Sequence, residues 1–124
     1  MAEILIVQGK ADTADSLSPA LIADGHRVRT EPHARALDGC VHALPDLILI
    51  RIDAPEFDGV KTIATLTRLH PEATVLGISG INGQVQRLIE RTACALGATG
   101  VLFEPLEPEH LRATVRELLA WHRG

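Results

Sequence analysis

The sequence has no tyrosine, and its only aromatic side chains are Phe57, Phe103 and Trp121. Three scattered rings argue against base-stacking platforms and sugar-binding clefts. Basic residues are not clustered either: 12 Lys and Arg face 16 Asp and Glu, for a formal charge of −4. Nothing here makes a nucleic-acid groove. Cysteine is limited to Cys40 and Cys94, far apart and in no metal-ligand spacing. They read as two reduced thiols of a cytoplasmic protein. No apolar run reaches the length of a membrane span. The start, "MAEILIVQGK", has an acid at position 3 and too short an apolar run for a secretory leader. The six histidines (His26, His33, His42, His70, His110 and His122) form no i,i+4 pair and no HExxH. They read as surface residues, and no metal site is expected.

What is present suits a soluble globular chain. Hydrophobic residues make up 46% of the 124 positions and charged residues 23%. A chain of this length buries roughly two-thirds of its unfolded surface, and a single domain over residues 1–124 is expected. Five short apolar segments recur: Glu3–Val7, Arg27–Thr30, Leu47–Ile52, Thr74–Ile78 and Gly100–Phe103. The run Leu47–Ile50 is unbroken and bounded by turn residues, which reads as a strand buried on both faces.

Amphipathic stretches lie between these segments. Val60, Ile63, Ala64, Leu66 and Leu69 share one helical face, with Asp58 placed as cap. Val85, Leu88, Ile89, Thr92 and Leu96 share another, and Cys94 falls opposite that stripe. Leu111, Val115, Leu118 and Leu119 form the last, with Pro108 in its first turn. The segment Asp12–Asp24 holds Pro19, so its helix either kinks there or begins there after Ser18. The segment His33–Ala43 carries Leu37 and Val41 but is weakened by Gly39. Strands alternating with helices predict an α/β fold, a parallel sheet covered on both faces. Function in such a sheet is expected beyond the carboxyl ends of the strands.

Four stretches at those ends carry a resemblance: "ILIVQG", "DLILIRIDAPEFDG", "VLGISG" and "GATGVLFEP". In order and spacing they resemble response-regulator receiver domains, the CheY-like superfamily, over nearly the whole chain. The "DG" opening a helix, the "GATG" before the fifth segment and "EPLEPEHL" all match that framework. The resemblance implies a flavodoxin-like open sheet of five parallel strands, order 2-1-3-4-5, with five helices. It also implies a cis bond at Glu104–Pro105.

The chemistry departs from the family. The acidic pair of such domains falls on Gln8 and Gly9, the phosphoacceptor on Arg51, and the lysine after the fifth strand on Glu104. The hydroxyl survives as Ser79, and the position of the family's switch aromatic holds Val101. The sequence thus looks like a divergent pseudo-receiver. Arginine has no lone pair with which to attack phosphorus. Magnesium prefers carboxylate oxygens, which Gln8 and Gly9 do not supply, so no cofactor is expected. Arg51 and Glu104 read as a reversed pair that keeps the charge balance of the cleft, with Asp53 an alternative partner for the arginine.

The resemblance implies a phosphorylation-independent interaction module, not an enzyme. Its partner, a protein or a neighbouring domain, is expected on the surface of the helix over 85–96, the fifth strand and the last helix. Arg87, Glu90, Arg91, Arg112, Arg116 and Trp121 would stand there, and a homodimer is an alternative occupant. Two other functions stay open. One is a working phosphorelay receiver with Asp53 as a displaced acceptor. The other is a small nucleotide- or anion-binding α/β protein, although no P-loop or GxGxxG supports it. Ser79 with the backbone of Gly80 is the candidate anion contact, and Asp53, Glu104 and Pro105 are the further pocket positions.

Overall fold

In the computed structural model the described residues are 2–7, 11–31, 44–52, 58–81 and 83–123; at 11–16, 58 and 121–123 the backbone alone is described. The strands are β1 (Glu3–Val7), β2 (Arg27–Glu31), β3 (Leu47–Arg51), β4 (Val75–Ser79) and β5 (Gly100–Phe103). The helices are α1 (Ala11–Ala23), α2 (Asp58–Leu69), α3 (Val85–Ala95) and α4 (Pro108–Arg123). All four strand pairings are parallel, and the order is β2-β1-β3-β4-β5. The expected sheet is therefore the observed one. Strand ends differ by single residues: Ile52 and Thr74 lie just outside β3 and β4, yet both still bond the ladder through Ile52 N–H to Ile78 O and Ile48 N–H to Thr74 O. The helix expected over 33–43 lies outside the described residues.

Alternation along each strand divides the core into two layers. Ile4, Ile6, Leu47, Leu49, Leu76, Ile78 and Leu102 point to one face, where Leu17 and Leu21 of α1 meet Leu111, Val115 and Leu119 of α4. Leu5, Val7, Ile48, Ile50, Val75 and Val101 point to the other, under Ile63 and Leu66 of α2 and Ala93 of α3. The run Leu47–Ile50 is wholly buried because β3 is central and covered on both sides. Burying each such Leu or Ile contributes about 1.5–3 kcal/mol.

Helix α1 starts at Ala11 and runs through Pro19, so the reading in which it begins at Pro19 does not hold. The ring fits because Pro19 is exposed, and α1 is instead anchored by buried Leu17 and Leu21. The apolar stripe of α3 is the larger departure. Only Ala93 of that helix is buried, while Val85 and Leu88 are 47% and 64% exposed. Helix α3 is tied to α2 by a polar contact: the Thr67 hydroxyl donates to the Leu96 carbonyl at 2.6 Å. Gly97 closes α3 with φ +116°, and a Cβ there would sit 2.6 Å from Thr67, so glycine is required twice over. No helix among the described residues is long and apolar enough to cross a membrane.

Candidate functional site

The parallel register brings the carboxyl ends of the central strands level. Arg51 of β3 pairs with Ile78 of β4, and Ser79 of β4 with Phe103 of β5. The Glu104 N–H donates to the Ser79 carbonyl at 2.8 Å, which extends the ladder one residue past β5. Arg51, Ser79 and Glu104 therefore meet at one edge although 53 residues separate the first from the last.

Arg51 Nη2 lies 2.5 Å from Glu104 Oε1. The arginine side chain is 20% exposed and the glutamate 37%, so the pair is partly withdrawn from water. Opposite charges at this separation in a half-desolvated cleft attract more strongly than on an open surface. The Glu104 backbone is held by its bond to Ser79, and the peptide to Pro105 is cis. The expected ion pair between Arg51 and Glu104 is thus formed.

Ser79 is completely buried, and its Oγ accepts the Ile81 N–H at 3.2 Å. That bond shapes the turn leaving β4. Gly59, in the first turn of α2, sets the opposite wall. A Cβ there would fall 2.2 Å from the Arg51 carbonyl oxygen, so only glycine lets the start of α2 approach the end of β3. Val101 is buried on the α2–α3 face, next to Gly77, whose missing side chain makes room for Ile52. Gln8, Gly9 and Asp53 lie outside the described residues.

The donors described at this edge do not fit a magnesium ion. Their one carboxylate, Glu104, is engaged by a permanent cation, and among the described residues no three His, Cys, Asp or Glu side chains gather. Arg51 also adds positive charge where a divalent cation would need to be neutralised.

The surface residues expected around α3, β5 and α4 divide. Arg87 and Glu90 are exposed and line a groove with Phe103 on the β5 side of α3. Arg91 is exposed as well. Arg112 and Arg116 turn instead to Asp24 at the end of α1. Arg116 grips both carboxylate oxygens at 2.6 and 2.8 Å, and Arg112 Nε stands 3.6 Å from one of them. Arg112 also reaches Glu109 at 3.2 Å. These two arginines fasten α4 to α1. The hydrogen bond from Arg116 holds the Asp24 carboxyl below its usual value, against the opposing effect of burial. The Trp121 side chain lies outside the described residues. Not every histidine is a plain surface residue: His26 and His70 are half-buried, and His26 Nδ1 accepts the Ala2 N–H at 3.2 Å. Cys94 is exposed, as its position on the helix implied.

Sequence reasoning missed Asp24, which follows α1 and carries no local pattern. The packing of α1 on α4 brings it to Arg116, 92 positions away, and to Arg112.

Sheet order and helix placement give the open, flavodoxin-like sheet of CheY-like proteins, and comparisons with known proteins show that the chain is similar to response regulators. No family model matches the chain. Among curated proteins, it is 27% identical over 117 residues to the transcriptional regulatory protein CreB of Escherichia coli K12, covering 94% of this chain and 50% of that protein. It is 29% identical over 119 residues to the transcriptional regulatory protein ZraR of the same organism, covering 95% of this chain and 26% of that protein. The chain thus spans half or less of the length of these relatives. Among solved structures, the receiver domain of NtrX from Brucella abortus superposes with a TM-score of 0.84 at 25% identity, covering 94% of this chain and 98% of that one. A CheY-like receiver domain protein from Methanospirillum hungatei gives 0.85 at 20% identity, over 99% of this chain and 97% of that one, a likeness of fold.

Proposed function

We propose that this chain is an atypical receiver domain of a two-component-type signalling protein, one that works as an interaction or regulatory module without being phosphorylated. The observation that carries this reading is the ion pair between Arg51 and Glu104. It occupies the strand ends where receivers resembling this sequence place a phosphoaccepting aspartate and a lysine. A guanidinium offers no nucleophile, and a glutamate would repel a phosphoryl group. Gln8 and Gly9, in place of an acidic pair, leave magnesium without its ligands.

In this reading the pair does permanently what a phosphoryl group does transiently: it holds the ends of β3 and β5 in one arrangement. The domain then presents a constant surface to a protein partner or a neighbouring domain, in the cytoplasm, with no cofactor. Residues 1–124 act as one unit.

Incubation of the intact chain with acetyl phosphate and Mg²⁺ tests this. The expected result is an unchanged intact mass. Gain of one phosphoryl group, lost on Asp53→Asn, would instead establish a working receiver with a displaced acceptor.

A further inference from the structure

We propose that the groove between α2 and α3 is a docking site for an acidic amphipathic helix of a partner protein. The groove encloses about 350 Å³ and is lined by Ile52, Val60, Ile81, Val85, Leu88 and Thr92 among others. Val85 and Leu88 stand three residues apart on α3 and are 47% and 64% exposed. A lone exposed apolar side chain is ordinary, but two on adjacent turns beside an open apolar groove make a patch that a partner can cover.

The rim identifies the occupant. Helical spacing puts Arg91 one turn after Leu88 on the outer edge of α3. On α2 it puts Lys61 and Arg68 on one outer stripe, past Val60 and Ala64. All three cations are exposed. None has an ion-pair partner among the described residues, whereas Arg51, Arg112 and Arg116 all do. Glu90 lies round the helix, on the groove shared with Arg87 and Phe103. The chain as a whole carries −4, so three cations along this groove with no ion-pair partner among the described residues run against its composition.

A second copy docked groove to groove would set Lys61 and Arg91 against their own kind, because a two-fold contact matches each patch with itself. An acidic amphipathic helix meets both demands. Its apolar residues, at helical spacing, fill the groove, and its carboxylates reach the cations on either side. This face lies on the α2 side of α3, whereas the groove with Arg87, Glu90 and Phe103 lies on its β5 side; Arg91, expected on the latter surface, stands on the outer edge between them. The inference rests on the reading of the chain as an interaction module. Peptide binding involves no phosphoryl transfer, so it and the mass assay can fail separately.

The probe is a synthetic helical peptide of about four turns, with Leu and Ile at i, i+3, i+4 and i+7 and Glu on both flanks. Its control carries Lys in place of every Glu. Each is titrated into the isotope-labelled full chain and followed by amide chemical shifts. The expected result is saturable shifts at Lys61, Val85, Leu88, Arg91 and Thr92 with the acidic peptide, at a Kd on the order of 10 μM. The lysine peptide binds about tenfold more weakly or worse, and Arg91→Glu reverses the preference. Leu88→Asp abolishes binding; this side chain is exposed, so the variant keeps its fold, as circular dichroism would record. Equal binding of both peptides, no saturable shift with the acidic one, or shifts confined to α1 and α4 would overturn the proposal. So would a dimer in sedimentation that Leu88→Asp dissociates, because a second copy would then own the groove.

Discussion

Helices α3 and α4 precede and follow β5, and in sequence they look alike. Each carries an apolar stripe and two arginines four residues apart, Arg87 and Arg91 on one, Arg112 and Arg116 on the other. In the structure they behave differently. Leu111, Val115 and Leu119 of α4 are buried against α1 and the sheet, and both arginines are held by Asp24. Helix α3 buries only Ala93, and its arginines have no ion pair among the described residues. The difference teaches that an apolar stripe records the capacity to bury surface, and the position of neighbouring elements decides whether that capacity is used within the chain. Helix α4 spends its stripe and its charge on the fold. Helix α3 packs Ile89 against the core but keeps Val85, Leu88 and its arginines facing outward, where a partner can use them.

The contrast can be broken most directly in the core. Leu111→Ala removes a side chain that is 1% exposed and should cost about 2–4 kcal/mol, read from urea denaturation. Leu88→Ala, at 64% exposure, should change stability by less than about 0.5 kcal/mol in the same measurement. Comparable losses would mean that α3 is packed as firmly as α4, and the comparison would collapse.

Acid sharpens the same contrast with a smaller effect. The Asp24 carboxyl is held below its ordinary value of 3.8, first by its hydrogen bond with Arg116. A group whose folded value is depressed contributes stability above its unfolded value and loses it as pH falls through the folded one. The midpoint of denaturation should therefore drop as pH falls below 3.8. In Asp24→Asn the plateau should be lower and this acid step shallower. An unchanged step would remove the α1–α4 ion cluster from the account.

Much of this was legible in sequence, for definite reasons. Unbroken Leu47–Ile50, short and bounded by turn residues, reads as a strand covered twice, and alternation elsewhere set the two layers. The Arg51–Glu104 pair was legible through the resemblance, in which an acid at the end of the third strand stands beside a lysine after the fifth; the parallel register is what brings those ends level. The exposure of Leu88 was not, because a helical period records which residues share a face and says nothing about whether a neighbour reaches it. Asp24 stayed hidden because its partners lie far along the chain on another helix, Arg116 92 residues away. Gly59 was legible as a helix opening, but its cause, contact with the Arg51 carbonyl, is tertiary.

The central claim is that Arg51 and Glu104 act as one unit at the place where receivers are switched. A double-mutant cycle on the two residues tests it most directly, by chemical denaturation at low and high salt. Arg51→Ala and Glu104→Ala should each cost about 1 kcal/mol, since the pair is only half-withdrawn from water. The double variant should cost less than their sum, leaving a coupling of about 0.5–1 kcal/mol that shrinks as salt rises. Strict additivity at both salt concentrations would contradict the account, and Arg51 would then be no more than a charge at the end of its strand.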